Sequence, residues 1–120
     1  MTASIEDLRR IAEIEFGDLV IDSQPLGEKL RIFLADSSYI DAWLSRKLPD
    51  RFGFHWERQH IDGTLYRYDN FPNTAWREVN TYPHHFHRGS QNTVESTPFA
   101  VEPLEAFRDF LRFVRANLAK

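Results

Sequence analysis

The sequence predicts an α+β fold: an antiparallel β-sheet meander of four to six strands packed against N- and C-terminal helices. Three observations predict it. Apolar residues recur at helical spacing near both ends of the chain. Between the ends the period changes to two, in short runs separated by turn residues. No helical stretch alternates with those runs, which argues against a parallel doubly wound sheet.

The first helix is expected over residues 4–16. Ser4 and Asp7 form a capping box, which satisfies backbone N–H groups at the helix start. Ile5, Leu8, Ile11, Ala12 and Glu15 follow helical spacing, apolar until the last, and Gly17 is a natural stop. Residues 19–21 read as a short strand or the way into one, and Gln24-Pro25-Leu26-Gly27 as a break. From Lys29, Leu30, Ile32 and Leu34 alternate with Arg31, Phe33 and Ala35, followed by an Asp36-Ser37-Ser38 turn. A second strand over 39–46 puts Ile40, Ala42 and Leu44 on one face, and Pro49-Asp50 breaks it. A third over 51–59 puts Phe52, Phe54 and Trp56 on one face and His55 and Glu57 on the other. Asp62-Gly63 is a hairpin signal leading to a fourth strand over 64–69. Residues 70–90 read as irregular, with a short strand near 93–95. The last helix, over 102–119, carries Leu104, Phe107, Leu111, Val114 and Leu118 on one stripe that Phe110 and Phe113 widen. The whole of 1–120 reads as one domain without internal repeats.

Composition narrows the function classes. The chain has no cysteine, which excludes disulfide scaffolds, Cys-ligated zinc and thiolate nucleophiles. No apolar run approaches the roughly 20 residues of a membrane helix, and the polar N-terminus does not read as a signal peptide, so the cytoplasm is expected. The net charge of −3 is unevenly spread: −5 over residues 1–45, +2 over 46–88 and zero over 89–120. All five histidines fall in the basic stretch. The P-loop, Rossmann, nucleophile-elbow and H-E-x-x-H motifs are missing.

Two constellations carry chemistry. In Arg67-Tyr68-Asp69-Asn70, extended backbone puts Arg67 and Asp69 on one face. An arginine there is a surface ion pair or a phosphate clamp. In Pro83-His84-His85-Phe86-His87-Arg88, extended backbone puts His85 and His87 together. Two imidazoles on one face serve as general base and general acid, or as paired metal ligands. His85, His87, Arg67 and Asp69 are therefore the candidate catalytic residues, predicted to converge on one accessible cleft. Arg88, Tyr68, Asn70 and His84 are the candidate substrate-binding residues. No cofactor is expected unless the site is metal-dependent, in which case His85 and His87 are ligands and the third is Asp69, His55 or another group. Taken singly, His55 and His60 read as ordinary strand residues. Trp56, Tyr66, Tyr68, Phe71, Trp76 and Tyr82 are either core or stacking surfaces for single-stranded RNA.

At these two constellations the sequence resembles the TumE-type toxins of prokaryotic toxin–antitoxin pairs. The residues that carry the likeness are Arg67-Tyr68-Asp69-Asn70, Pro72 and Tyr82-Pro83-His84-His85-Phe86-His87. They match the patterns R-[YW]-D-N-x-P-H-H and F-P-H-H-x-H ahead of a C-terminal helix. Asn73 and Thr74 stand where those toxins tend to have two histidines, so the expectation rests on His85 and His87. The resemblance implies a cytoplasmic toxin, an antitoxin partner of the DNA-binding helix-turn-helix kind, and RNA as the target. Homodimer formation is left open. Three readings follow: a small ribonuclease, a metal-binding protein, and a protein-interaction module without chemistry.

Overall fold

The computed structural model describes residues 3–118. Its centre is a seven-stranded antiparallel sheet in which every strand pairs with its neighbour in sequence. The strands are β1 (Val20–Leu26), β2 (Lys29–Leu34), β3 (Tyr39–Leu44), β4 (Phe52–Arg58), β5 (Thr64–Asp69), β6 (His85–Gly89) and β7 (Val94–Ser96). The count exceeds the expected four to six because β6 forms inside the stretch read as irregular. Pro83, three histidines and Gly89 give that stretch little strand propensity, but the free edge of β5 pairs with it from Leu65↔Gly89 to Asp69↔His85.

α1 (Ile5–Arg10) starts at the expected capping box, with Ser4 and Asp7 bonding each other's backbone. Over Ile11–Glu15 it widens into a π-helical turn rather than continuing as α-helix. β1 runs through Pro25 instead of breaking there. It is the first strand of the sheet, and an edge strand tolerates a residue that has no N–H to donate. The sharp turn comes at Gly27, whose φ of 69° suits glycine. At Asp62-Gly63 a helical turn, α2 (Gln59–Asp62), replaces the expected two-residue hairpin, with Gly63 as its left-handed cap and His60 inside it.

α3 (Pro103–Leu118) and the N-terminal helix cover one face of the sheet. Leu30, Ile32, Ile40, Ala42, Phe52, Phe54, Tyr68 and Phe86 meet Leu8, Ala12, Phe107, Phe110, Leu111 and Val114 there, all without exposed surface except where helix and sheet margins meet. Leu104 and Leu118, expected on the buried stripe, lie half-buried at its ends; Phe110 is buried as expected, and Ala106 is buried beside it. The apolar rings interlock, with Phe54 at 5.2 Å from Phe107 and Phe86 at 5.3 Å from Phe113. Because strand residues alternate, Arg31, Asp41, His55, Arg67 and Asp69 are turned to the opposite face. No described helix is long and apolar enough to cross a membrane.

Candidate functional site

The face turned away from the helices is polar, and cross-strand register orders it. One ladder runs Arg31, Asp41, His55, Arg67, His87; the next runs Lys29, Trp43, Gly53, Asp69, His85. The predicted convergence of His85, His87, Arg67 and Asp69 therefore follows from β5 pairing with β6. The segment between these strands folds over its own end of the sheet. A 3-10 turn at Thr74–Trp76 places the Trp76 ring 6.3 Å from that of His85 and 5.9 Å from that of His87. As a result both imidazoles are 2% exposed, at the floor of the pocket rather than on an open cleft. The pocket is about 170 Å³ and is also lined by Phe71, Asn73 and Gln91.

Asp69 is the hub of the cluster. Its Oδ2 accepts from Arg67 Nε at 2.8 Å, and its Oδ1 accepts from the Phe71 backbone N–H at 3.0 Å. His85 Nε2 lies 3.2 Å from the same Oδ1. The other nitrogen of each histidine is fixed by the backbone. His85 Nδ1 donates to the Pro83 carbonyl and His87 Nδ1 to the Gln91 carbonyl, both at 2.9 Å. This selects the tautomer whose inward Nε2 carries a lone pair. Burial holds the His87 pKa below the ordinary imidazole range, and the neighbouring His85 and Arg67 act in the same direction, against the Gln91 bond and Asp69. The Arg67 side chain, 37% exposed, is the one group of the quartet that reaches the rim.

The four residues expected to bind substrate stand apart from this pocket. Arg88 follows His87 and so points to the helix face, where it pairs with Glu95 at 2.8 Å and lies over the Phe86 ring. Tyr68 is fully buried in the core, and its hydroxyl donates to the Ala100 carbonyl. Burial pushes its pKa up to about 12. Asn70 ties the β4 entrance to the end of β5, accepting from the Phe52 N–H and donating to the Asp50 carbonyl. His84 is half-buried against Phe52 and Tyr68, and burial lowers its pKa.

Other residues complete the face. Gln91 has no sequence signal beyond lying near the histidines, and Trp76 reads from sequence as a core or stacking ring; the folded connection brings both to the ring pair. His55 sits opposite Arg67 with its Nε2 2.9 Å from Glu57 Oε1. Beside the cluster is a second pocket of about 290 Å³, lined by Lys29, Asp41, Trp43, Gly53 and His55. Arg67 and Phe71 line both pockets, and Phe71 stacks on Trp43 at 5.2 Å. A larger pocket of about 520 Å³, lined by Ser4, Ile5, Pro25 and Leu44 among others, contains none of the candidate residues.

The model of one protein family, described as Toxin TumE, matches residues 2–118. The chain belongs to the TumE toxin family. As a TumE toxin it is the toxin component of a toxin–antitoxin system, the class of protein that an antitoxin partner restrains. No curated protein matches the chain, and no solved structure does. Against this family's pattern, Asn73 lines the histidine pocket, where its side chain accepts from the Ala75 N–H and caps the 3-10 turn.

Proposed function

We propose that this TumE toxin is a small ribonuclease whose reaction centre is the Asp69, His85, His87 and Arg67 cluster. One observation carries the reading: an exposed guanidinium stands at the rim of a pocket whose floor holds two imidazoles with inward-facing lone pairs. Cleavage of RNA by its own 2′-hydroxyl forms a bond from O2′ to phosphorus and breaks the bond from phosphorus to O5′. The O2′ proton must leave, O5′ must gain one, and charge on the non-bridging oxygens needs a sink. The Arg67 fork matches that charge and can pass from Asp69 to a phosphate. His85 and His87 share the two proton transfers: the inward nitrogen of one ring takes the O2′ proton, and the other ring, in its imidazolium form, gives a proton to O5′. Asp69 fixes Arg67 and His85 relative to each other.

The stacked Trp43 and Phe71 beside the reaction centre suit a nucleobase next to the cleaved bond. RNA and a helix-turn-helix antitoxin would both be met in the cytoplasm. Support for the partner comes from family likeness alone.

The test is growth arrest on expression, paired with cleavage of labelled single-stranded RNA by the purified chain. Arg67→Ala and His87→Ala are each expected to lower cleavage by about 10²–10⁴-fold and to abolish growth arrest. Full toxicity in a folded His85→Ala/His87→Ala double variant would sink this reading and leave a protein-interaction toxin in its place.

A further inference from the structure

We infer that Asp69, His85 and His87 form a binding site for one first-row transition-metal dication, held by a carboxylate oxygen and the two Nε2 atoms. The inference goes beyond the ribonuclease reading and does not depend on it, because it concerns the ligands and not the substrate.

The first ground is distance. One ligand atom from each of the three residues lies within 4.8 Å of the other two, and all three side chains are buried. An ion bound at about 2.1 Å to each would draw those atoms to separations of about 3–3.5 Å. That requires adjustments of about 1 Å, within reach of side-chain torsions.

The second ground is the way the histidines are held. Imidazoles that bind metals are typically fixed by a hydrogen bond from the remote nitrogen to a carbonyl or carboxylate. Both rings have that support, from Pro83 and Gln91. The backbone therefore orients the two Nε2 atoms toward the pocket, where among the described residues neither accepts a hydrogen bond from a protein N–H.

The third ground is the contact between His85 Nε2 and Asp69 Oδ1 at 3.2 Å. These two ligand atoms already stand at the separation of about 3–3.5 Å that a shared ion would impose on them.

Two imidazoles and one carboxylate favour manganese, iron, cobalt, nickel or zinc over magnesium and calcium, whose ligands are almost all oxygen. Three protein ligands also leave coordination positions open toward the pocket, for water or a phosphoryl oxygen. Arg67 is the opposing charge. It occupies Oδ2, leaves Oδ1 with the Phe71 N–H as its donor and a second lone pair for the ion, and is exposed enough to swing toward solvent. With both Nε2 atoms on an ion the imidazoles could not also move protons, so in the metal-loaded chain the ion would take their place in the proposed ribonuclease, polarising the phosphate beside Arg67 and easing deprotonation of the 2′-hydroxyl.

The experiment uses the full chain, stripped with EDTA and then titrated with Co²⁺, Zn²⁺, Mn²⁺ or Mg²⁺. One equivalent of Co²⁺ is expected per chain, with visible d–d absorption and shifted ring-proton resonances from two imidazoles. Zn²⁺ at about 100 times its Kd should raise Tm by roughly 10 °C, and Mg²⁺ should not. His87→Gln should lose the metal-induced rise, each protein being compared with its own metal-free state, and His60→Gln should keep it. The two-imidazole signature in the wild-type chain decides the matter even if His87→Gln does not fold. Absence of stoichiometric binding, or a signature with no imidazole, overturns the site. RNA cleavage by a chain that takes up no stoichiometric metal overturns the site and leaves the ribonuclease; stoichiometric metal binding without RNA cleavage supports the site and overturns the ribonuclease.

Discussion

Asp69 accepts from the Arg67 guanidinium and the Phe71 N–H and lies beside His85, so single side chains on β5 and β6 decide the geometry of the pocket. Alternation along an extended strand was enough to pair Arg67 with Asp69 and His85 with His87, because side-chain direction in a strand depends only on parity. The same parity places Tyr68 and Arg88 on the opposite face, where Tyr68 bonds the Ala100 carbonyl and Arg88 pairs with Glu95. Tyr68→Phe removes the bond to the Ala100 carbonyl and should cost about 1 kcal/mol, with RNA cleavage per folded molecule unchanged. Arg88→Ala breaks an exposed pair with Glu95 and should cost less than about 1 kcal/mol. A loss of cleavage in either variant, with stability intact, would return these residues to the substrate path. Asp69→Asn should be more damaging than either. The amide cannot accept as strongly from Arg67 and Phe71 together, so both the rim guanidinium and the loop over the histidines lose their anchor.

Elements show where local signals end. The capping box, the period-two runs and the apolar stripe of α3 are all written within a few residues of the atoms they position, and all were legible. The helical turn at Gln59–Asp62 was not, since Asp62-Gly63 suits a tight hairpin and a left-handed helix cap equally well. β6 was not legible either, because its pairing is supplied by the edge of β5 and not by its own residues. That non-local pairing is what assembles the site. For the core helix, Leu111 has no exposed surface and packs in the layer between α3 and the sheet. Leu111→Ala should cost roughly 2–5 kcal/mol in denaturant unfolding. A cost below about 0.5 kcal/mol, the range of surface substitutions, would mean that the stripe is misplaced.

Across the whole molecule, the meander separates two tasks. One face is covered by the helices; the other is polar, and ion pairs between strands stabilise it. Arg31 holds Asp41 through two bonds of 2.8 Å, with Lys29 at 3.2 Å. Arg58 reaches back to Asp36, which also binds Ser38, the acceptor for Trp56 Nε1. Burial alone would push both carboxyl groups up. At Asp41 the Arg31 and Lys29 bonds outweigh it, and at Asp36 the Ser38 and Arg58 bonds do, so both are held below the ordinary range. Glu57, bonded to His55 and the Gln59 N–H, is lowered in the same way.

These shifts set a sign for acid stability. A carboxyl group with a lower pKa in the folded chain binds fewer protons than it does unfolded, so stability rises with pH across that interval. The contribution is complete above the unfolded value, near about pH 4, and is lost as pH falls through the lower folded values. Tm should therefore begin to drop near about pH 4.5 and continue to fall below it. Asp41→Asn supplies the check. It leaves Arg31 and Lys29 without their carboxylate, so Tm at pH 7 should be lower than in the wild type. It also removes one of the groups that must be protonated, so the fall in Tm between pH 7 and pH 3 should be smaller. An unchanged fall in that variant would mean that Asp41 contributes nothing to the acid limb. The charge ladder on the open face would then be serving substrate rather than stability.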